Sequence, residues 1–178
     1  QFWTTLVGSF PHIDAAPLCQ RILSSVDIPA WPQLPRRTFR ESMCAQFSTC
    51  LPGIRVDEAT EQITFNVTSD MSRTVDKFYS RCQSYDIDAF AIAPEDAAGF
   101  YAMLDVLRST PGEWVKGHVT GPITLGLQIL DGHSRPSLYD KKLADMIVQS
   151  VTMTVRWQIR QLRAVRPNVI VFVDEPHM

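Results

Sequence analysis

The stretch Val115 to Leu127, VKGHVTGPITLGL, constrains the fold more than any other part of the chain. Val115, Gly117 and Val119 alternate with Lys116, His118 and Thr120, and this period of two predicts a strand. Gly121-Pro122 then breaks the strand. Proline is pre-organised for the first position of a helix, and Thr120 or Gly121 can cap it. The apolar run Ile123, Leu125, Leu127, Ile129 and Leu130 continues the predicted helix. A strand that ends on a helix N-terminus brings a glycine, a hydroxyl and backbone donors to one sheet edge, a setting that favours an anion.

The rest of the sequence repeats the alternation. Phe2 to Val7 predicts a short first strand, ended by Gly8-Ser9-Phe10-Pro11-His12, and a helix follows from Ala15 to Val26 with Asp14 as its cap. Ile28 to Leu34 is a second strand interrupted by prolines. A helix over Phe39 to Phe47 turns Met43 and Phe47 inward. Ile54 to Val67 reads as a hairpin whose polar centre holds Asp57, Glu58 and Glu61. Helices are then predicted from Ser69 or Asp70 to Tyr85, from Pro94 to Leu107, and from Leu138 to Val165 with Ser137 as cap. The stripe of the last is Leu143, Met146, Ile147, Ser150, Val151, Thr154, Trp157 (or Ile159) and Leu162. Val169 to Val173, VIVFV, is a continuous β-branched run of the kind buried on both faces of a parallel sheet, and Asp174-Glu175-Pro176 stands at its C-terminal end.

This order predicts an α/β chain, the first four strands of a TIM-type β/α barrel with a hairpin inserted at about 54–67, in one domain over residues 1–178. A complete barrel takes about 250 residues, so a half of one is expected here. Gln1 is not a natural start, which suggests processing or trimming.

With 20% charged residues and a net charge of −2, the chain carries no basic block for nucleic acid, and it has no apolar run long enough to span a membrane. Cys19, Cys44, Cys50 and Cys82 lack any CxxC spacing and read as reduced thiols of a cytoplasmic protein.

Three motifs stand in order at the predicted strand ends: Thr4 to Pro11 (TLVGSFP within it), Lys116 to Thr124 (KGHVTGPIT), and Val173 to Pro176 (VDEP). As an ordered set they resemble the catalytic barrel of cobalamin-independent methionine synthase and its relatives, a superfamily that includes uroporphyrinogen decarboxylase. The resemblance implies methyl transfer to a thiol, homocysteine or a related amino acid, with zinc holding the thiolate. Zinc would act by deprotonating the thiol. In the family the segment matching Val7-Gly8-Ser9 and the acid matching Asp174 hold the amino-acid substrate. Its carboxylate is then expected at the helix N-terminus after Gly8-Ser9, and its ammonium at Asp174. The family's zinc ligands lie after the Asp-Glu-Pro strand, outside this chain, so no metal residues are assigned within it.

The sequence departs from the family in two further places. Arg37 stands where the family has an acid for the substrate amine, and Gln128 where it has a tryptophan that stacks on folate. Tyr79-Ser80-Arg81-Cys82 matches a folate-contacting Ser-Arg-Cys, but it lies in a helical pattern and reads as coincidence.

The candidate catalytic residues are therefore Asp174, Glu175 and His118. The candidate substrate residues are Val7, Gly8, Ser9, His12, Arg36, Arg37, Arg40 and Asp174. The Arg36, Arg37, Arg40 cluster equally suits an alternative, a uroporphyrinogen decarboxylase-like enzyme acting on a polycarboxylate. A third reading is a non-catalytic half-barrel whose open sheet is covered by a missing C-terminal half or a homodimer mate.

Overall fold

A computed structural model describes residues 2–66 and 71–177. In chain order its elements are α1 (Ala15–Ser25), α2 (Met43–Ser48), β1 (Ile54–Asp57), β2 (Gln62–Phe65), α3 (Met71–Gln83), α4 (Ala98–Arg108), β3 (Trp114–Thr120), α5 (Pro122–Gln128), β4 (Ile129–Leu130), α6 (Lys141–Arg163) and β5 (Asn168–Asp174). Single 3-10 turns occupy Phe39–Glu41, Ile87–Phe90, Pro94–Asp96 and Ser137–Tyr139.

The fold is α/β, but among the described residues the strand series of a TIM barrel is not there. The described residues form a two-stranded parallel sheet, β3–β5, and a separate three-stranded mixed sheet in the order β1–β2–β4. The two N-terminal segments predicted as strands make only isolated parallel bridges, Ser9 to Gln33 and Ala30 to Lys116. Prolines explain this. Pro29, Pro32 and Pro35 each lack an N–H, so the segment from 28 to 34 cannot sustain a ladder. It contributes single bonds instead, such as Lys116 N–H to the Pro29 carbonyl at 2.8 Å. The hairpin forms as β1–β2, with Ile54 opposite Phe65 and Asp57 opposite Gln62. It is no isolated insertion, because β2 also pairs in parallel with β4.

Local chemistry explains the other differences. The helix expected over Phe39 to Phe47 is split at Ser42, whose side chain accepts from Ala45 N–H and restarts the chain as α2. Asp140 rather than Ser137 caps α6, accepting from Lys142 and Leu143 N–H. The caps expected at Ser69 or Asp70, and the end of the hairpin at Val67, lie outside the described residues. The predicted stripe of α6 is buried as expected, with Trp157 inward and Ile159 half-exposed.

α6 lies across one face of β3–β5, where Gly117 leaves room for Gln158 and Leu162. An aromatic core gathers beside α6 and includes its Trp157. Trp31 meets Phe47, Phe100 and His118, and Phe100 meets Trp157 at 4.9 Å. β5 was expected to be buried on both faces, yet Phe172 and Val173 are 44% and 53% exposed, and among the described residues its outer edge pairs with nothing. No helix among the described residues is long and apolar enough to cross a membrane.

Candidate functional site

The strand face that alternation marks as polar is buried. Lys116, His118 and Thr120 of β3 are each 1–2% exposed. Burying such groups is costly unless each finds a partner, and two of them hold loops. Lys116 Nζ donates to the carbonyls of Leu6 and Val7, each at 2.7 Å, and lies 4.4 Å from the centre of the Phe172 ring. Thr120 Oγ1 donates to the Met43 carbonyl at 2.5 Å. β3 thereby draws the 6–9 segment and the start of α2 together around the C-terminal end of β5.

What they enclose is an open cavity of about 450 Å³. Val7, Gly8 and Ser9 form one wall, Asp174, Glu175 and Pro176 the opposite one, and Gln33 and Met43 fill the space between. Two of the three sequence motifs thus face each other directly. The third motif closes the far side of Glu175. The Gly121 N–H donates to the Asp174 carbonyl at 2.8 Å, and Ile123 and Thr124 N–H donate to the two carboxylate oxygens of Glu175 at 3.0 and 2.8 Å.

Glu175 therefore occupies the first turn of α5 and caps it. The anion that this helix start favours is the protein's own carboxylate, each of whose oxygens accepts one helix N–H. Gly121 is required for the approach, since a Cβ there would overlap the Glu175 carboxyl group. The helix start expected just after Gly8-Ser9 is also absent, because α1 begins only at Ala15. Asp174 differs from its neighbour: its side chain faces the cavity half-buried. Burial pushes its carboxyl above the usual range, and the nearby Lys116 charge pulls it partly back.

His118 lies behind the cavity and is not among its lining residues. Its ring stacks on Trp31 at a centroid distance of 3.9 Å, and neither ring nitrogen has a partner among the described residues. Burial, aided by the Lys116 charge, pushes its pKa down to about 3, so the ring is neutral. It forms the platform beneath Gly8, whose φ is +157° and whose Cβ, if present, would lie 3.1 Å from His118 Cε1. His12 is exposed beside Phe10, away from the cavity lining.

Two of the three clustered arginines pair within the fold. Arg37 pairs with buried Glu41 and donates to the Glu95 carbonyl at 3.1 Å. Arg40 makes a two-point pair with buried Asp96, at 2.6 and 3.0 Å. Two of the three charges are thus neutralised by internal carboxylates. Arg36 is exposed and lies outside the cavity lining.

Sequence reasoning overlooked Gln33, Gln46, Met43 and the holding role of Lys116. Ser9 Oγ donates to Gln33 Oε1 at 3.2 Å, Gln33 Nε2 to Gln46 Oε1 at 2.7 Å, and Gln46 Nε2 to the Asp96 carbonyl at 2.6 Å. The available signal was Gln33 itself, a polar residue set between prolines in an otherwise apolar segment. A second cavity of about 440 Å³ also touches Met43 and runs past Phe39 and Cys44 to Gln128, which bonds His177 at 3.0 Å.

The residues present do not fit zinc. No group of three or more His, Cys, Asp or Glu side chains converges among the described residues. All four cysteines are free, and burial pushes Cys44 and Cys50 up to about 11 and Cys19 to about 12. No protein-family model, curated protein or solved structure matches the chain.

Proposed function

We propose that the cavity between Val7-Gly8-Ser9 and Asp174 is the amino-acid-binding part of a methyltransferase site of the methionine-synthase kind, taking homocysteine or a related thiol amino acid as methyl acceptor. The observation that carries this reading is convergence. Two short motifs from opposite ends of the chain face each other across one cavity, and the third, Lys116 to Thr124, holds both walls from behind through Lys116 and the Ile123 and Thr124 N–H groups. In this reading Asp174 receives the substrate ammonium. Lys116 offsets part of the upward push of burial on that carboxyl and, through the Leu6 and Val7 carbonyls, holds the opposite wall in place. Met43 supplies an apolar surface for the thiol-bearing arm. The chain's own residues bind and orient the acceptor, and any zinc ligands would come from elsewhere.

The polycarboxylate reading loses its main support, because Arg37 and Arg40 are spent on Glu41 and Asp96. The expectation of a mate covering the open sheet is supported by exposed Phe172 and Val173 on the unpaired edge of β5. Sedimentation velocity reads it, and a monomer at all concentrations would remove it. The four free thiols fit a reducing compartment such as the cytoplasm.

The test of function is calorimetry with L-homocysteine under reducing conditions. Saturable binding with a Kd of about 1 mM or tighter is expected, and Asp174→Asn should abolish it. Wild-type protein that binds no thiol amino acid, or Asp174→Asn that binds equally well, would overturn the proposal.

A further inference from the structure

We propose that Met43 sets the length of ligand that the cavity beside Asp174 admits: its side chain is the deformable part of the partition between that cavity and its neighbour, and truncating it joins the two. The inference rests on the function proposed above and names the residue that decides which thiol amino acids fit.

Among the described residues the two cavities, of about 450 and 440 Å³, share one lining residue, Met43. The chain also steps from one to the other between neighbouring residues, since Pro176 lines the cavity beside Asp174 and His177 lines the second. The partition therefore has two parts. One is the Pro176–His177 turn, tied on one side by the Glu175 carboxylate at the start of α5 and on the other by the Gln128–His177 bond at 3.0 Å. The other is the half-buried Met43 side chain, an unbranched arm with three rotatable bonds.

The backbone that carries this arm is fixed at several points. Ser42 caps α2 by accepting from Ala45 N–H, and Thr120 Oγ1 donates to the Met43 carbonyl at 2.5 Å. Three residues on, Gln46 donates to the Asp96 carbonyl at 2.6 Å and accepts from Gln33 at 2.7 Å. Phe47 then packs edge-on against Trp31 in the core. The fold thus sets where Met43 stands, and the thioether arm sets how far a ligand reaches. Beyond it lie Phe39, Ile63, Leu127 and Leu130, apolar surface that suits a hydrocarbon group. A homocysteine arm ends against Met43 and needs only the first cavity. A thioether that carries a bulky apolar group needs the second as well, and Met43 stands in its way. Excess length in a closed apolar pocket is resolved by about tenfold or more per methylene.

The experiment compares L-homocysteine with S-benzyl-L-homocysteine by calorimetry under reducing conditions; the two share their amino and carboxylate groups and differ in length. Wild-type protein should bind L-homocysteine at least about tenfold more tightly. Met43→Ala opens the partition, and S-benzyl-L-homocysteine should gain about tenfold or more while L-homocysteine gains nothing, so the ratio between them falls. Met43→Val, a milder truncation of the same arm, should move the ratio in the same direction and serves as the second variant if Met43→Ala does not fold. A purely structural role for Met43 would weaken both ligands equally and leave the ratio unchanged, which overturns the inference. Wild-type protein that binds the two ligands alike also overturns it. Binding of neither ligand by wild type or variants overturns the underlying function instead.

Discussion

Glu175 offers the sharpest test of how the site is built. Its two oxygens accept from the first free donors of α5, at 3.0 and 2.8 Å. A hydrogen bond to a charged acceptor contributes about 1.5–3 kcal/mol when well buried, and a helix cap about 1 kcal/mol. Glu175 is only half-buried, so the lower figures apply, and Glu175→Ala should cost about 2 kcal/mol in all. For a chain of this length each kcal/mol lowers Tm by roughly 2–4 °C, which gives a fall of about 4–8 °C. Urea unfolding should show a lower midpoint at unchanged slope. Gly121→Ala pushes a methyl group into the same carboxyl and should cost a similar amount. The two changes damage one interaction, so they must not add: Gly121→Ala introduced into Glu175→Ala should cost less than half of what it costs in wild type. Full additivity would refute the reasoning that glycine is needed at 121 because the carboxylate caps the helix there.

The remaining predictions concern charge. Amine binding requires ionised Asp174, whose pKa burial raises against the pull of Lys116, with the Glu175 carboxylate alongside; binding should therefore fade on acidification through a midpoint above the ordinary value of about 3.9, as read by NMR titration, and a midpoint at or below that value would count against the site. His118 is held neutral with a pKa near 3, so below about 6.5 the unfolded state takes up a proton that the folded state does not, and stability falls by about 1.4 kcal/mol per pH unit down to that value. His118→Leu should remove this part of the acid slope while staying within about 1.5 kcal/mol of wild type at pH 7, as measured by urea unfolding across pH. Arg40→Met strands the buried Asp96 carboxylate and should cost about 2 kcal/mol, discounted because Arg40 is itself partly exposed, without changing affinity for inorganic phosphate; a loss of phosphate binding would restore the arginine cluster as an anion site.

Much of the helical scaffold could be read from periodicity. The stripe of α6 and the inward faces of α1 and α4 are the residues that the spacing selects, because a long amphipathic helix has one way to bury its apolar side. The sheets could not be read in the same way. Alternation sets Lys116, His118 and Thr120 on one face but does not show what covers it, and segments 77 to 110 residues distant supply the carbonyl partners of Lys116 and Thr120. Such partners are invisible to a local pattern. VIVFV has the composition of a doubly buried strand and yet leaves two of its residues exposed. At the site, the wall residues Val7, Gly8, Ser9 and Asp174 could be found from motifs. The roles of Glu175 and the arginines could not, since each depends on a partner 4 to 56 residues away.

The same pairings decide which charge the cavity attracts. In sequence the chain advertises anion binding twice, once at the Gly121-Pro122 helix start and once at Arg37 and Arg40. Folding satisfies both from within: Glu175 fills the helix start, and Glu41 and Asp96 neutralise the arginines. The Lys116 ammonium is likewise directed onto two backbone carbonyls. What remains toward the cavity is a half-buried carboxylate at Asp174 and the Ser9 hydroxyl, which bonds Gln33 at 3.2 Å. The Asp174 carboxylate is then the charge that a ligand in this cavity meets first, and it suits an amine. The polarity of the site thus follows from which charges the fold spends on itself, and the residues left over define the ligand.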